Sequence, residues 1–407
     1  MIRAAVAAVS VLMLATGPAA AQAPGEGIEV RAQDLPAPYQ SQSVGNSPET
    51  VGRPEGTVLA VPQGFTASIF AEGLIHPREM EVLPSGDVLL AEPRAGRITL
   101  LRDADGDGRA EGISTFAAGL SAPHGMELRP DGLYVADLVG VWRLAYRPGA
   151  TAAGGPPQQI TPRGAFGIPD GHWSRTLVFH PDGSRFYVAI GSQANIEEEA
   201  EPRATIQEFR ADGSGQRTFA AGLRNPVGIA FQPGTQSLFA VVNERDGLGD
   251  RLVPDYLTQV ADGGFYGWPY AYIGPNPQPG FADRRPDLVA ATVVPDLLFE
   301  SHSAPLGLVF YQGDQFPADY RGDAFVALHG SWNRADPAGY FVARVPFEDG
   351  RPAGGYEVFA SGFRIGGTGR ARVWGRPAGV AVAADGALLI ADDTGGTVWR
   401  VAFEGSR

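Results

Sequence analysis

Short runs in which apolar and polar residues alternate fill the chain from Val58 onward, and turn residues separate them. Alternation with a period of two predicts half-buried β-strands, and a Pro-Asp-Gly or similar turn between two such runs predicts a hairpin. One strand–turn–strand pattern recurs in six copies, which begin at Gly73, Gly119, Gly171, Gly222, Ser303 and Gly375. Further alternating runs, such as 96–101 and 396–401, follow the hairpins. This repetition is the main evidence for the fold.

Six copies of one hairpin predict a six-bladed β-propeller, an all-β fold with four-stranded antiparallel blades. The copies recur at intervals of about 45 to 80 residues, and the shorter intervals suit one blade each. A pair of β-sandwiches is the rival fold, but it does not require one turn motif to be repeated. The insertion 247–301, between copies four and five, is rich in Gly, Pro and aromatic residues. Long ordered loops of this kind are expected on the active face.

The chain is expected to have three parts. Residues 1–21 resemble a secretory signal peptide, with Arg3, an apolar run over 4–14 and small residues up to Ala21, so cleavage is expected after Ala21 or Ala23. A membrane anchor is the alternative, but the apolar run is too short to span a bilayer. Residues 22–57 are predicted to form a flexible arm, and 58–407 the propeller. We therefore expect a periplasmic or secreted protein with no membrane span.

The composition excludes several kinds of chemistry. The 407 residues carry a net charge of −13, which disfavours nucleic acid as a partner. All 32 cationic residues are arginine, so no lysine is available for a Schiff base or as a general base. Cysteine is absent, which excludes disulfides, a thiol nucleophile and haem attachment through a Cys-x-x-Cys-His motif.

Cationic and polar side chains recur at equivalent positions of the copies, where a propeller would place them around the mouth of an axial funnel. One position holds His172 and Arg224, the next holds His76, Asn225 and Arg376, and a third, within the strand, holds Arg78, His124 and Arg175. Burying so many such groups without partners would cost several kcal/mol each. They are therefore expected to form a pocket for a polyanionic ligand.

His172 is the candidate general base. Histidine is about as common in a capping role as in a catalytic one, so its position alone leaves both interpretations open. Asp170 is expected to orient the imidazole, which favours the base. His180 lies in a His-Pro-Asp-Gly turn and is expected to be structural. The segment 329–334 brings imidazole, amide and guanidinium groups into one turn, which favours contact with a ligand.

Two segments are candidate calcium sites. Asp103, Asp105 and Asp107 alternate with small residues, and Glu111 follows four residues later. The pattern resembles the start of a calcium-binding loop, with an ordinary Asp-Gly hairpin as the alternative. The segment 243–255 is also rich in oxygen ligands and glycine, but a solvated acidic loop would have the same composition.

Taken together, these residues resemble the quinoprotein glucose/sorbosone dehydrogenase family, in particular its sorbosone and pyranose dehydrogenase branch. The resemblance covers about 58–401. Its most specific segments are Gly171-His172 with Arg175, 222–226, 243–247, 263–269, 329–334 and 375–377. It implies a six-bladed propeller that binds pyrroloquinoline quinone (PQQ) and Ca²⁺. It also implies oxidation of a sugar or aldehyde, with His172 as catalytic base, and a separate electron acceptor such as a quinone or cytochrome.

The same resemblance assigns the other site residues. The carbonyls of Asp246 and Gly247 match calcium ligands of the cofactor site. It matches Arg224, Asn225 and Arg376 to positions that hold the carboxylates and carbonyls of the quinone. Together with Arg78, His124, Asn243, Asp246, His329 and Arg334, these are the predicted cofactor-binding residues. Two departures put glucose in doubt as the substrate. His329 or Arg334 stands in for a lysine that contacts the cofactor in soluble glucose dehydrogenases, and Ser192 stands where they have an aspartate.

Two other functions remain as alternatives. A calcium-dependent lactonase on a similar propeller would hold its metal on the axis with carboxylate and amide side chains. The candidates for that role are few, namely Glu79, Asn225 and Glu244, and the arginines would have no task. A propeller that only binds a ligand would explain the repeats, but not His172 together with the segment 329–334.

Overall fold

A computed structural model describes residues 22–405, so the predicted signal peptide lies outside the described residues. Six antiparallel sheets contain most of the strands, and each sheet includes the hairpin of one sequence copy. From the innermost strand outward, they are: first, Met80–Val82, Val88–Glu92, Arg97–Arg102 and Gly112–Ala118; second, Met126–Arg129, Gly132–Ala136, Val141–Leu144 and Gln158–Gln159; third, Leu177–Phe179, Arg185–Ile190, Thr205–Arg210 and Arg217–Ala221; fourth, Pro226–Phe231, Leu238–Val242, Pro254–Val260 and Leu297–Ser301; fifth, Pro305–Phe310, Ala324–Leu328, Phe341–Val345, Tyr356–Ala360 and Gly27–Ile28; sixth, Pro377–Val382, Leu388–Asp392, Thr397–Phe403 and Phe65–Glu72. The predicted all-β fold with four-stranded antiparallel sheets is confirmed, and the fifth sheet has one additional strand.

The remaining elements are short. A three-stranded sheet and two hairpins consist of Glu49–Thr50, Arg364–Gly366 and Arg372–Val373, of Ala271–Tyr272 and Asn276–Pro277, and of Phe347–Glu348 and Arg351–Pro352. The helical segments are the α-helix Pro286–Ala291 and the 3₁₀ turns Ala32–Asp34, Pro93–Ala95, Ala282–Arg284 and Ala318–Tyr320. None of the helices in residues 22–405 is long and apolar enough to cross a membrane.

The two ends of the strand region meet in the sixth sheet. Phe65–Glu72 precedes the first sequence copy, yet it pairs antiparallel with Thr397–Phe403 of the last copy. Between neighbouring sheets, buried aromatic and aliphatic side chains form the core. Phe239 of the fourth sheet, for example, packs edge-on against Phe310 of the fifth, with ring centroids 5.6 Å apart. The hairpins are thus fastened to one another through their apolar faces.

Glycines bring the innermost strands into close contact. A β-carbon at Gly379 of the sixth sheet would lie 2.0 Å from the Arg78 carbonyl oxygen of the first sheet. One at Gly125 of the second sheet would lie 2.3 Å from the Leu177 backbone nitrogen of the third. The equivalent glycines of the fourth and fifth sheets are Gly228 and Gly307, and they face the next sheet in the same way. Because Gly379 contacts the first sheet, the succession of innermost strands closes on itself.

A channel of about 350 Å³ runs between these strands, and residues of all six sheets line it. Glu81 faces this channel and accepts a hydrogen bond of 2.8 Å from the Leu128 N–H of the second sheet. Glu127 faces it likewise and accepts one of 2.6 Å from the Phe179 N–H of the third sheet. Burial raises the pKa of Glu81 to about 8. These carboxyl groups therefore tie neighbouring sheets together along the channel.

The segment 22–57, which we expected to be a flexible arm, is hydrogen-bonded to the loops of the last three sheets. The Tyr39 N–H donates to the Leu248 carbonyl at 2.7 Å, and the Asn46 N–H donates to the Trp332 carbonyl at 2.6 Å. Glu49–Thr50 pairs in parallel with Arg372–Val373. These backbone hydrogen bonds hold the arm against the surface.

Candidate active site

His172 lies five residues before the innermost strand of the third sheet, and Ser192 holds it from the end of the next strand. The Ser192 carbonyl accepts the His172 backbone N–H at 3.1 Å and lies 2.8 Å from the imidazole Nδ1. Because a carbonyl oxygen can only accept, Nδ1 carries the proton and Nε2 has a free lone pair. The expectation that Asp170 orients the ring is wrong. Its carboxylate accepts from the Gly171 N–H and the Gln193 side chain instead.

The surroundings keep the His172 imidazole neutral. Burial, and then the nearby Arg224 guanidinium, lower its pKa to about 3. Arg175 lies beneath it with no solvent exposure and donates from Nη1 to the His172 carbonyl at 2.8 Å. The Nε and Nη2 groups of Arg175 have no hydrogen-bond partner within residues 22–405. His172 is therefore a fixed, uncharged imidazole whose Nε2 can accept a proton. His180, in contrast, lies at the turn of the same sheet and pairs with Asp182.

Arg224, predicted to bind the cofactor, uses most of its N–H groups on the protein. Nε donates to the Asn195 carbonyl at 3.0 Å, Nη1 to the carbonyls of Asn243 and Glu244, and Nη2 to the Asn195 side chain. Its own carbonyl accepts the Ser192 N–H at 2.7 Å, which links it to His172. The next residue, Asn225, has a buried side-chain oxygen without a partner among the described residues. Asn225 therefore retains free hydrogen-bonding capacity, whereas Arg224 mainly positions loops.

The predicted calcium ligands lie in a loop that other groups already hold. The Asp246 carbonyl accepts from both the Arg245 side chain, with Nε at 2.8 Å, and the Asn195 amide at 2.9 Å. The Asp246 carboxylate faces Asn333 and the buried His302, whose Nδ1 lies 3.3 Å away. Gly247 follows at a positive φ of 92°. Calcium could be bound through the Asp246 carbonyl only if Arg245 and Asn195 moved away. Nothing in the sequence pointed to Asn195 or His302.

Asp393 is the centre of a second group of site residues, and the sequence analysis missed it. Its carboxylate lies 2.6 Å from Arg78 Nη1, 2.9 Å from His329 Nε2 and 3.4 Å from His76 Nε2. His329 and the cationic groups hold the pKa of Asp393 well below its usual range against the effect of burial. The predicted cationic cluster is therefore partly neutralised. The only signal in the sequence was a second aspartate directly after the strand of the sixth copy.

Trp173, also missed, joins this group to His172, its neighbour in the chain. The Arg78 guanidinium lies 4.9 Å from the Trp173 ring centroid, and the His124 ring centroid is 5.5 Å from it. His124 is buried, and its Nδ1 lies 3.3 Å from the Thr176 hydroxyl. Trp173 occupies the position that holds His76, Asn225 and Arg376 in other copies, so the alignment of the copies could have identified it.

The remaining predicted cofactor residues lie in the fourth to sixth sheets. Arg376 donates from Nε to the His329 carbonyl at 3.0 Å and from Nη2 to the Gly330 carbonyl. Asn243 donates to the Pro305 carbonyl at 2.6 Å. Arg334 donates to the Ser301 carbonyl at 3.3 Å and pairs with Glu300, so its charge is directed toward the protein.

The structure thus joins most of the predicted residues in two hydrogen-bonded groups, and Arg334 belongs to neither. One contains His172, Arg224, Asn243 and Asp246, and the other contains Arg78, His329 and Arg376, with His124 against Trp173. On the opposite side of the axis from Arg78, His124 and Arg175, the equivalent positions hold the buried residues Val227, Leu306 and Ala378. One side of the axis is therefore polar and the other apolar at this level.

The acidic loop of the first sheet forms a separate cluster. Carboxylate oxygens of Asp103, Asp105, Asp107 and Glu111 all lie within 4.8 Å of one another. The side chain of Asp103 also accepts the N–H groups of Gly106 and Gly108, which shapes the loop. This arrangement is compatible with calcium, and the site remains a prediction.

Comparison with known proteins supplies the family. A family model described as TrAA12-like matches residues 59–255 and 287–404. The chain belongs to the TrAA12-like family. The resemblance to quinoprotein sugar dehydrogenases is confirmed by a relative from Coprinopsis cinerea, named pyrroloquinoline quinone-dependent pyranose dehydrogenase, which is 26% identical over 71% of this chain and 45% of its own length. An uncharacterized protein of Borreliella burgdorferi is 31% identical over 57% of this chain and 61% of its own length. The chain thus spans less than two thirds of either relative.

Solved structures support the same fold for this member of the TrAA12-like family. The PQQ domain of pyranose dehydrogenase from Coprinopsis cinerea, in its holo form, superposes with a TM-score of 0.71 at 22% identity, over 87% of this chain and 99% of that one. A calcium structure of the family AA12 enzyme of Trichoderma reesei gives 0.71 at 18% identity, over 85% and 97%.

Proposed function

We propose that the chain is a PQQ-dependent dehydrogenase that oxidises a sugar or aldehyde, such as sorbosone or a pyranose, and passes the electrons to a separate acceptor. The observation that carries the proposal is the state of His172. Its Nδ1–H is bound by the Ser192 carbonyl, and burial and the nearby Arg224 lower its pKa to about 3, so at neutral pH Nε2 carries no proton and is available as an acceptor. The relative named as a PQQ-dependent pyranose dehydrogenase supports the reaction type.

We further propose that the six sheets are the blades of a six-bladed propeller. Two observations support this number of blades. Residues of all six innermost strands line one channel, and Gly379 of the last sheet touches Arg78 of the first. The pairing of Phe65–Glu72 with Thr397–Phe403 would then fasten the propeller closed.

The residues around His172 fit an anionic quinone. The buried Arg175 has two donors, Nε and Nη2, without a partner among the described residues, whereas the unpaired side-chain oxygen of Asn225 can only accept. Arg376 makes its hydrogen bonds to backbone carbonyls through Nε and Nη2, and Arg78 and His329 are paired with Asp393. Positive charge and free donors suit the carboxylates of such a cofactor. When bound, PQQ would supply a two-electron acceptor for the hydrogen that leaves the substrate carbon.

The contribution of the protein to the reaction is proton transfer and positioning. His172 Nε2 would take the proton from the substrate hydroxyl while the carbon-bound hydrogen leaves with its electron pair. The Ser192 carbonyl, which already accepts the Nδ1–H, would then stabilise the protonated ring. Arg175 would keep the His172 backbone in place through its bond to the carbonyl oxygen.

Calcium is part of the proposal at two places, with different support. The acidic loop 103–111 gathers four carboxylates whose oxygens lie within 4.8 Å of one another. The residues at Asp246 do not fit calcium as they are arranged, because Arg245 and Asn195 occupy the carbonyl oxygen. We therefore derive no catalytic step from a calcium ion at that loop.

The proposed location and electron acceptor rest on features of the sequence. The apolar run over 4–14 and the small residues before Gln22 support export through a cleaved signal peptide to the periplasm or medium. The chain lacks cysteine for covalent haem attachment, so a separate quinone or cytochrome would receive the electrons.

The lactonase alternative is not favoured. It requires a metal on the axis held by several side-chain oxygens. Within residues 22–405, the only group of three or more carboxylate or imidazole ligands close enough to hold an ion is the loop 103–111, in the first sheet. Glu244, a candidate ligand for that function, is buried; one carboxylate oxygen accepts the Arg245 N–H, and the other has no hydrogen-bond partner among the described residues.

Reconstitution tests the proposal. Apoprotein would be mixed with PQQ and Ca²⁺, each alone and together, and assayed with a dye acceptor and a panel of sugars and aldehydes. Dye reduction that requires PQQ supports the dehydrogenase. Lactone hydrolysis without PQQ would support the lactonase alternative. The absence of both activities would favour a protein that only binds its ligand.

A further inference from the structure

The segment 39–51, which we name the strap, crosses loops of three neighbouring sheets. Its backbone is hydrogen-bonded to Leu248 after the fourth sheet's second strand, to Trp332 after the fifth sheet's second strand, and to Arg372–Val373 before the sixth sheet. These contacts lie within a few residues of three predicted cofactor-binding residues, namely Asp246, Arg334 and Arg376. The strap thus reaches three parts of the candidate site that come from different sheets.

Asn46 holds the loop of the fifth sheet on both sides of Asn333. Its backbone N–H donates to the Trp332 carbonyl at 2.6 Å, and its side-chain amide donates to the Arg334 carbonyl at 2.8 Å. Between these two points, the Asn333 side chain donates to the Asp246 carboxylate. Because both flanking carbonyls are fixed, Asn46 orients the Asn333 side chain toward that carboxylate.

Two serines of the strap hold the loop that follows Asp246. Ser41 Oγ accepts the Asp250 N–H at 2.9 Å, and Ser43 Oγ accepts the Gly249 N–H at 3.1 Å. Gly249 has a φ of 132°, and a β-carbon there would lie 3.0 Å from Ser41 Oγ, so the strap and this loop are in direct contact. The strap therefore restrains Asp246 through its own loop as well as through the loop of the fifth sheet.

The strap also reaches the chain just before Arg376. The Asn46 side-chain amide, which has two N–H groups, donates to the Gly369 carbonyl as well. Glu49–Thr50 then pairs in parallel with Arg372–Val373, which ends three residues before Arg376. One side chain, that of Asn46, thus joins a loop of the fifth sheet to a loop of the sixth.

We propose that the strap is a positioning element of the cofactor site and that Asn46 is its main positioning residue. This inference rests on the proposed function. A cofactor that contacts Asp246, Arg334 and Arg376 together must find three loops in one arrangement. Loops that are already fixed lose less conformational freedom when a ligand binds, which strengthens binding. The TrAA12-like model begins at residue 59, so the strap lies outside the part of the chain that matches the family.

Titration calorimetry of the apoprotein with PQQ tests the role of Asn46. Asn46→Ala should raise the Kd for PQQ about tenfold, because the loops must then be ordered at the expense of binding energy. The kcat at saturating PQQ should stay close to that of the unchanged enzyme, since His172 is held by Ser192 of the third sheet. Partial unfolding would instead lower the number of binding sites and leave the Kd of the folded fraction as it is.

Ser43 provides a second, milder variant with a rescue. Ser43→Ala removes the bond to Gly249 and should raise the Kd less, about threefold, whereas Ser43→Thr keeps the hydroxyl and should restore the Kd. The control is Arg31→Ala, which removes an exposed pair with Glu29 outside the strap and should not change the Kd. An unchanged Kd in both Asn46→Ala and Ser43→Ala would overturn the positioning role.

Hydrogen exchange of the apoprotein separates this inference from the proposed function. Asn46→Ala should speed amide exchange at 246–250 as well as at 332–335, because the Asn333 side chain links the two loops. Faster exchange in both loops, with no PQQ binding by the unchanged protein, would support the strap as the element that positions the site loops and overturn the dehydrogenase. Exchange as slow as in the unchanged protein, with PQQ still bound, would overturn the strap and leave the dehydrogenase intact.

Discussion

Replacing Asp393 with asparagine tests whether this carboxylate holds the second group of site residues together. The Asp393 side chain is 4% exposed and contacts Arg78 at 2.6 Å and His329 at 2.9 Å. Asparagine keeps the volume and one acceptor but removes the charge, which leaves the buried Arg78 guanidinium uncompensated. Removing one partner of a buried ion pair costs about 3–5 kcal/mol. Because the amide oxygen can still accept one hydrogen bond, we expect the lower end, about 3 kcal/mol.

Urea unfolding followed by tryptophan fluorescence measures the loss of unfolding free energy in Asp393→Asn. The control is Asp385→Asn, which removes a carboxylate that is 52% exposed and pairs with Arg400 at the surface. An exposed pair contributes less than about 1 kcal/mol, so this variant should stay close to the unchanged protein. If Asp393→Asn lowered the unfolding free energy no more than the control, Asp393 would not be the electrostatic centre described here.

Three further predictions concern the fold and the acidic loop. Gly379→Ala should lower stability by about 1–3 kcal/mol through overpacking, because the new β-carbon would lie 2.0 Å from the Arg78 carbonyl oxygen. The control Gly52→Ala has open space around the new β-carbon and should not lower stability. Equal melting temperatures of the two variants would contradict the close contact at Gly379. Glu81 has a pKa of about 8 in the folded protein, against 4.5 for an ordinary glutamate in the unfolded chain. Between these pH values the folded state binds one more proton than the unfolded state, so stability should fall as the pH rises. Glu81→Gln should flatten that pH profile of the melting temperature, and an unchanged slope would show that Glu81 ionises freely. Calcium should raise the melting temperature, and less so in Asp105→Asn; an equal rise in both would exclude the acidic loop as the binding site.

The strand order could be predicted from the sequence because the repeated turn and the period-two alternation are local signals. The hairpin at Met80–Val82 and Val88–Glu92 follows directly from its apolar pattern and the turn between the strands. The assembly of His172 with Arg224 could be predicted because both occupy one position of the repeat. Side chains at equivalent repeat positions must converge if the sheets surround an axis.

The partners of these side chains could not be predicted, since they depend on contacts between distant parts of the chain. The acceptor for the His172 ring is the backbone carbonyl of Ser192, and every residue has a carbonyl. Arg224 binds loop carbonyls rather than remaining free, a choice that the packing of the 195 and 243–244 loops determines. Asp393 neutralises Arg78, which lies more than 300 positions earlier in the chain. Residue type alone showed where charge would gather but not how it would be balanced.

Turnover by His172→Ala in the PQQ-loaded protein tests the central claim most directly. PQQ titration should show that binding is retained, while kcat falls by about 10²–10⁴, the usual contribution of a general base. His180→Ala, at the turn of the same sheet, should leave kcat of the folded fraction unchanged. Turnover by His172→Ala equal to that of the unchanged enzyme would contradict the account, because Nε2 would then not be the proton acceptor.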